Sequence, residues 1–252
     1  TWVITVDYSA NPNTTTVERN GVRVGSYTGT PNGPAPLGSG GPTGQIYVTG
    51  KINSLKGPDR TGPLPCGKDY PGSADLCPDH PPPPQIRPAI SKETQLHITA
   101  TGKIGITGDL VYECDPTKTA DPDYLRGHPR CALGEGETLR TVLGVVSQND
   151  VIYIGPNSPD NLYLWGAYLA MSKSGGLFVH SSGSPQGKLR LFGSLTQYWN
   201  QHKGVIDSSG SLISGYIDTY DYDRRFADSV LAPPNFPTVR IFDVQKIQTT
   251  PL

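Results

Sequence analysis

One short pattern recurs along the chain and restricts its folding more than any other feature: apolar-x-apolar-x-Gly-x-apolar. It is written as Ile46-Tyr47-Val48-Thr49-Gly50-Lys51-Ile52, as Ile104-Gly105-Ile106-Thr107-Gly108-Asp109-Leu110 and as Leu189-Arg190-Leu191-Phe192-Gly193-Ser194-Leu195. A slipped copy is Leu162-Tyr163-Leu164-Trp165-Gly166-Ala167-Tyr168-Leu169, and Leu96-His97-Ile98, Val151-Ile152-Tyr153-Ile154 and Leu177-Phe178-Val179 fill the gaps. Period-two alternation sends successive side chains to opposite faces of a strand, and a glycine inside such a run permits a sharp corner. Strand, Gly corner and strand, repeated without helices, predict an all-β parallel β-solenoid (β-helix). Its Ile, Leu and Val stack inward, while Tyr, Thr, Lys and Arg face solvent. An antiparallel sandwich alternates in the same way, but the Asn-Gly and Asp-Gly turns that join hairpins are few. Asn20-Gly21 is the plain exception and predicts a small N-terminal hairpin, Thr15 to Arg19 against Val22 to Ser26.

Composition agrees with short strands and many turns. Gly (30) and Pro (25) exceed a fifth of the 252 residues, only 35% are hydrophobic, and no amphipathic helical stretch is present. The formal net charge of -1 gives no global attraction to nucleic acid or anionic lipid, so such binding needs a local patch. No run approaches the roughly 18 apolar residues of a membrane span. Thr1 opens directly on strand-like Trp2-Val3-Ile4-Thr5-Val6 with no signal peptide, and this start is expected to be a processing boundary.

Three irregular stretches interrupt the repeats. Residues 27–44 are rich in Gly, Pro, Ser and Thr; residues 56–88 carry Cys66, Cys77 and the run Pro81-Pro82-Pro83-Pro84; residues 113–140 carry Cys114 and Cys131. The local pairings 66–77 and 114–131 are favoured because each would staple a loop that has no core of its own. The chain-entropy model assigns about 3 kcal/mol to each such bridge. The zinc alternative lacks any CxxC, and His80 and His128 are poorly spaced for it. Disulfides imply an oxidising compartment. The expected organisation is an N-terminal hairpin and linker (1–44), a solenoid with long disulfide-stapled loop insertions (45–242) and a C-terminal tail (243–252).

Several segments resemble a known family. Gln45 to Ile52 followed by Leu55-Lys56-Gly57, Gly102 to Leu110, Leu143 to Ser147, Ala167 to Met171 with Gly175 to Phe178, and Gly187 to Ser194 all resemble its motifs. The close, Gly215-Tyr216, Tyr220 to Ala227 and Pro233-Pro234-Asn235-Phe236-Pro237, is the most specific match. The chain thereby resembles the β-solenoid domain (DUF4900) of large bacterial type IV pilin-like proteins, which include ComZ-like competence minor pilins. The resemblance implies an extracellular place on the cell surface or pilus, other pilin subunits as partners and membrane attachment only through an N-terminal helix outside this segment. It also implies a part in DNA uptake at the pilus tip.

Among chemical groups, Asp218, Asp221, Asp223, Arg224 and Arg225, laced with Tyr216, Tyr220 and Tyr222, form the densest constellation. Asp218, Asp221 and Asp223 offer oxygen ligands for Ca²⁺, and paired carboxylates serve glycoside hydrolysis; alternatively the Asp residues pair with Arg224 and Arg225 or cap a turn. The five histidines (80, 97, 128, 180 and 202) are scattered, with His97 and His180 at outward strand positions. No nucleophile elbow or P-loop is present, so neither an enzyme nor a cofactor is expected. For DNA, Lys51, Lys56, Lys103, Lys188 and Arg190 lie on outward positions of successive repeats and would form a cationic stripe if the repeats stack in register. Tyr153, Tyr163, Trp165, Tyr198 and Trp199 add stacking surfaces for single strands or sugars. The sequence thus supports a non-enzymatic surface domain that captures DNA, with a secreted carbohydrate-binding or carbohydrate-active solenoid as the alternative.

Overall fold

The structure, a computed structural model, describes residues 1–7, 14–28, 43–65, 82–90, 94–114, 141–180, 183–226 and 232–237. The described residues form strands and no α-helix. The strands are β1 (Trp2–Asp7), β2 (Thr14–Arg19), β3 (Val22–Thr28), β4 (Thr43–Val48), β5 (Ile52–Lys56), β6 (Gln95–Ala100) and β7 (Ile104–Ile106). They continue with β8 (Val142–Ser147), β9 (Ile152–Ile154), β10 (Leu162–Ala170), β11 (Leu177–Val179), β12 (Pro185–Gln197), β13 (Gly204–Ile206) and β14 (Leu212–Tyr222).

These strands make two separate seven-stranded sheets, ordered β11-β9-β7-β5-β1-β2-β3 and β13-β14-β12-β10-β8-β6-β4. The expectation of a parallel β-solenoid is corrected by this arrangement. Both sheets are mixed: β1, β2 and β3 pair antiparallel at one end, β13 and β14 pair antiparallel at the other, and among the described residues no closed coil joins the sheets. Alternation reported the strands and their spacing, but it does not distinguish a closed coil from two open sheets. Cys114 is buried and disulfide-bonded. Cys66, Cys77 and Cys131 lie outside the described residues, so neither expected pairing can be placed.

From β4 to β12, successive strands alternate between the second sheet and the first, and same-sheet neighbours in this stretch run parallel. The pairing sets repeat residues side by side. Ile46, Ile98, Val145, Tyr168 and Leu195 form one row across the second sheet, and Ile52, Ile104, Ile152 and Leu177 form another across the first. Most of these side chains are buried in one continuous core. Removing a large aliphatic side chain from water contributes about 1.5–3 kcal/mol, so the rows fix which residues can pair.

Two glycine features need glycine itself. Asn20 (φ 55°) and Gly21 (φ 79°) form the tight turn between β2 and β3, both in the left-handed region a two-residue hairpin requires. Gly166 on β10 lies beside Gly193 on β12, with φ 146° and 136°, and a Cβ on Gly193 would run into the Gly166 carbonyl. At this kink β10 changes neighbours: Ala167 to Ala170 pair with β8, while Leu164 bridges Leu110. The Leu110 N–H donates to the Tyr163 carbonyl (2.9 Å) and the Trp165 N–H to the Leu110 carbonyl (2.7 Å).

The two sheets are offset. The first continues past β5 into β1, β2 and β3, whereas the second ends at β4; at the opposite end the second continues past β10 into β12, β14 and β13, whereas the first ends at β11. The N-terminal overhang is sealed, with Ile4, Val6 and Val17 all buried. Among the described residues the C-terminal overhang is not. The core rows Leu162–Leu189 and Leu164–Leu191 run on into Asp218 and Tyr220 of β14, both exposed.

Candidate functional site

The unsealed overhang holds a cleft of about 380 Å³, lined by residues 200–204 with Ile206, Gly210, Leu212, Tyr216, Ile217 and Asp218. Its walls follow from local sequence. After β12 the chain turns through 198–203 into β13, which is too short to cover the long strand β14. Gly204 is required where β13 crosses β14, since a Cβ there would meet the Tyr216 carbonyl. The turn back is held by Asp207, whose Oδ1 accepts the N–H groups of Ser209 (2.8 Å) and Ser211 (2.9 Å) and the Ser209 hydroxyl (2.6 Å). These bonds stabilise the carboxylate and pull its pKa below the usual range.

Within the cleft, the Lys203 ammonium donates to Asn200 Oδ1 (2.7 Å) and to the Gln201 carbonyl (2.7 Å). Burial lowers the Lys203 pKa and the Asp218 carboxylate opposes that shift. Tyr216 closes the floor: its ring is buried and its hydroxyl donates to the Pro159 carbonyl (2.8 Å). Burial pushes the Tyr216 phenol pKa up, as it does that of Tyr220, whose hydroxyl also bonds to Asp218. Immediately before Asn200 stand Tyr198 and Trp199, 62% and 58% exposed, their rings edge-to-face at 5.7 Å. A paired Tyr and Trp left in solvent is unusual, because aromatic side chains of this size normally supply core area.

The DNA stripe does not assemble. Lys51 and Lys103 stand on neighbouring rungs at the entrance to β5 and β7, where Ile52 pairs with Ile104, and both are exposed. Lys56 lies at the far end of β5 and is bonded to Asp59 at 2.8 Å. Lys188 and Arg190 belong to the other sheet. Arg190 is corrected outright: it is 1% exposed, stacked on Tyr163 at 5.0 Å and 3.4 Å from Asn161 Oδ1. It alternates with Leu189 and Leu191, and its stacking partner Tyr163 belongs to the core.

Other positions expected at the surface are also buried. Tyr163 and Trp165 are fully buried, Trp165 packing edge-on against Tyr112 (5.6 Å) and Phe192 (5.3 Å). His97 is 3% exposed under residues 232–237, which cross the outer face of the second sheet. Phe236 sits 5.9 Å from its ring and Asn235 bonds to Gln45 at 3.2 Å. Burial lowers the His97 pKa, opposed by the Pro234 backbone. His180 and His202 are exposed, and His80 and His128 lie outside the described residues. Of the stacking residues, Tyr198 and Trp199 are exposed and Tyr153 is half-buried.

The acidic residues do not converge on a metal. Asp223 is fully buried and bidentate with Arg225 (Nε to Oδ1 2.9 Å, Nη2 to Oδ2 2.5 Å), and Arg225 also donates to the Thr141 carbonyl (3.0 Å). Asp218 and Asp221 remain exposed. Among the described residues no three His, Cys, Asp or Glu side chains are grouped to hold a metal ion, so the calcium arrangement of Asp218, Asp221 and Asp223 is not formed. A second ion pair escaped the sequence reading altogether. Arg60 holds Asp109 through two bonds (2.6 and 2.9 Å) and donates to the Asp160 (2.8 Å) and Asn161 (3.0 Å) carbonyls, tying three distant segments together.

No family model, curated protein or solved structure matches this chain.

Proposed function

We propose that the chain is an extracellular, non-enzymatic binding domain of the pilin-like class its motifs resemble, and that its ligand face is the open end of the second sheet, which takes a glycan. The observation that carries this reading is the exposed Tyr198–Trp199 pair, set directly before the polar wall 200–203 of the cleft. Sugar rings present an apolar face and a rim of hydroxyls. Aromatic side chains match the first, and a few fixed donors and acceptors match the second. Catalysis is disfavoured because, among the described residues, Asp218 is the one carboxylate lining the cleft, whereas most glycoside hydrolysis requires two. Tryptophan fluorescence titrations against a panel of soluble oligosaccharides test the reading. A saturable change is expected, and Trp199→Ala is expected to weaken binding by at least about tenfold; saturable binding unchanged in that variant counts against this face.

DNA capture keeps one supporting observation, the neighbouring exposed Lys51 and Lys103, with the Lys103 ammonium 5.9 Å from the Tyr153 ring. Two phosphate contacts give a slope of only about −2 in log K against log[salt], so duplex binding through this corner is weak. Fluorescence anisotropy across a salt series, repeated with Lys51→Ala/Lys103→Ala, separates that contact from none.

A further inference from the structure

The outer edge of β14 is paired only at its start. The N–H groups of Gly215 and Asp223 donate to the carbonyls of Ser184 (3.0 Å) and Gly193 (3.0 Å) on the β12 side, whereas that of Tyr216 donates to the Lys203 carbonyl (2.9 Å) beside β13. Backbone groups alternate in direction along a strand, so the N–H and C=O of Asp218, Tyr220 and Tyr222 point away from β12. β13 pairs with β14 no further than Gly215, and among the described residues no strand pairs with this stretch. Beyond it Asp223 is buried and the chain turns off the edge in the 3₁₀ turn Arg224–Phe226. Residues 218–222 therefore present an open edge, with Tyr220 and Tyr222 exposed on one of its faces. Such an edge is a template for a further strand.

The side chains of the edge suit a second copy of itself. With two such edges antiparallel about a twofold axis at Tyr220, Asp218 faces the other copy's Tyr222, Tyr220 faces Tyr220, and Thr219 faces Asp221. Each carboxylate then meets a hydroxyl and the two rings meet each other, pairs that stabilise a ladder. A slip of two residues one way sets Asp221 against Asp221; the other way it sets Asp221 against Ile217 and leaves Tyr222 outside. Addition onto β4 of another copy does not extend the same ladder. β14 lies beside residues 188–193, ahead of the Gly166–Gly193 kink, whereas β4 is aligned through β6 and β8 with residues 167–170 beyond it. We infer that the chain forms a twofold-symmetric dimer in which the β14 edges of two copies pair antiparallel over residues 218–222, with Tyr220 on the axis. The ladder uses none of residues 198–206 and does not depend on glycan binding.

Sedimentation velocity of the whole chain across micromolar concentrations tests the inference, with a reversible monomer–dimer equilibrium expected. Tyr220→Pro removes an N–H that β12 does not use, together with the ring on the axis, and is expected to weaken the dimer by at least about tenfold. Circular dichroism reports whether that variant folds. A second pair of variants reads the register without disturbing the edge backbone. Residues that exchange both hydrogen bonds across an antiparallel ladder have Cα atoms about 5.5 Å apart, within reach of a disulfide. Tyr220→Cys is therefore expected to give a covalent dimer on mild oxidation, and Thr219→Cys, which faces Asp221 instead of its own copy, to give much less. A monomer at every concentration, assemblies that lengthen with concentration, a dimer unchanged in a folded Tyr220→Pro, or equal cross-linking at 219 and 220 each overturns the inference while leaving the glycan reading standing.

Discussion

Gly193→Ala separates the effect of backbone conformation from that of close stacking. At φ 136° a residue with a side chain is strained, at a cost of about 1–2 kcal/mol. The new methyl group would also run into the Gly166 carbonyl of the neighbouring strand, with the Gly166 carbonyl carbon only 2.7 Å away. Forcing an extra carbon into a packed site costs about 1–3 kcal/mol further, for a total of about 2–5 kcal/mol. Gly21→Ala is the matched control. Its φ is also positive (79°), but nothing lies within 4 Å of the added carbon, so only the conformational cost of about 1 kcal/mol applies. Urea denaturation followed by circular dichroism reads both. In a chain of this size each kcal/mol is worth about 2–4 °C in Tm, so the two variants should differ visibly on heating as well. Equal destabilisation by the two substitutions would refute the claim that β10 and β12 are held at glycine–glycine contact.

Other consequences can be checked separately. Asp109→Asn leaves the Arg60 guanidinium partly buried without its carboxylate and should cost about 3 kcal/mol in urea unfolding, with glycan affinity unchanged. Arg190→Gln should lower Tm because it removes a buried stack on Tyr163, and should leave the salt dependence of any DNA binding unaltered; a lost salt slope would return Arg190 to the surface. His97 has a folded-state pKa below its unfolded value, so the unfolded chain binds the extra proton. Stability should therefore be full above the unfolded value of about 6.5 and fall as pH drops below it towards the folded pKa. Urea midpoints at pH 7.5 and 5.5 should differ more for the native protein than for His97→Asn.

Much of the strand framework was legible because apolar alternation and glycine spacing are written locally. Leu162 to Leu169 and Leu189 to Leu195 could be aligned by eye, and they pair in register. What alternation cannot report is what lies on each face. Arg190, Tyr163 and Trp165 alternate with the buried leucines of their strands, yet Tyr163 and Trp165 belong to the same continuous core, Tyr112 and Phe192 pack edge-on against Trp165, and Arg190 stacks on Tyr163. His97 is buried by Phe236, more than a hundred residues away in sequence. The offset of the sheets was hidden for the same reason, since it depends on where each sheet stops. Asp218 and Tyr220 stand in the sequence as part of a polar cluster, but their exposure on a core row follows from β11 ending the first sheet. Lys203 gave no sequence signal beyond a lysine among polar residues.

The central claim is that ligand binds at the open end of the second sheet. Hydrogen-exchange mass spectrometry with and without a saturating neutral oligosaccharide tests it most directly. The account predicts protection concentrated in residues 198–206 and 212–220, with β4, β6 and the Lys51–Lys103 corner unchanged. Protection centred on that corner, with none at 198–220, would contradict it.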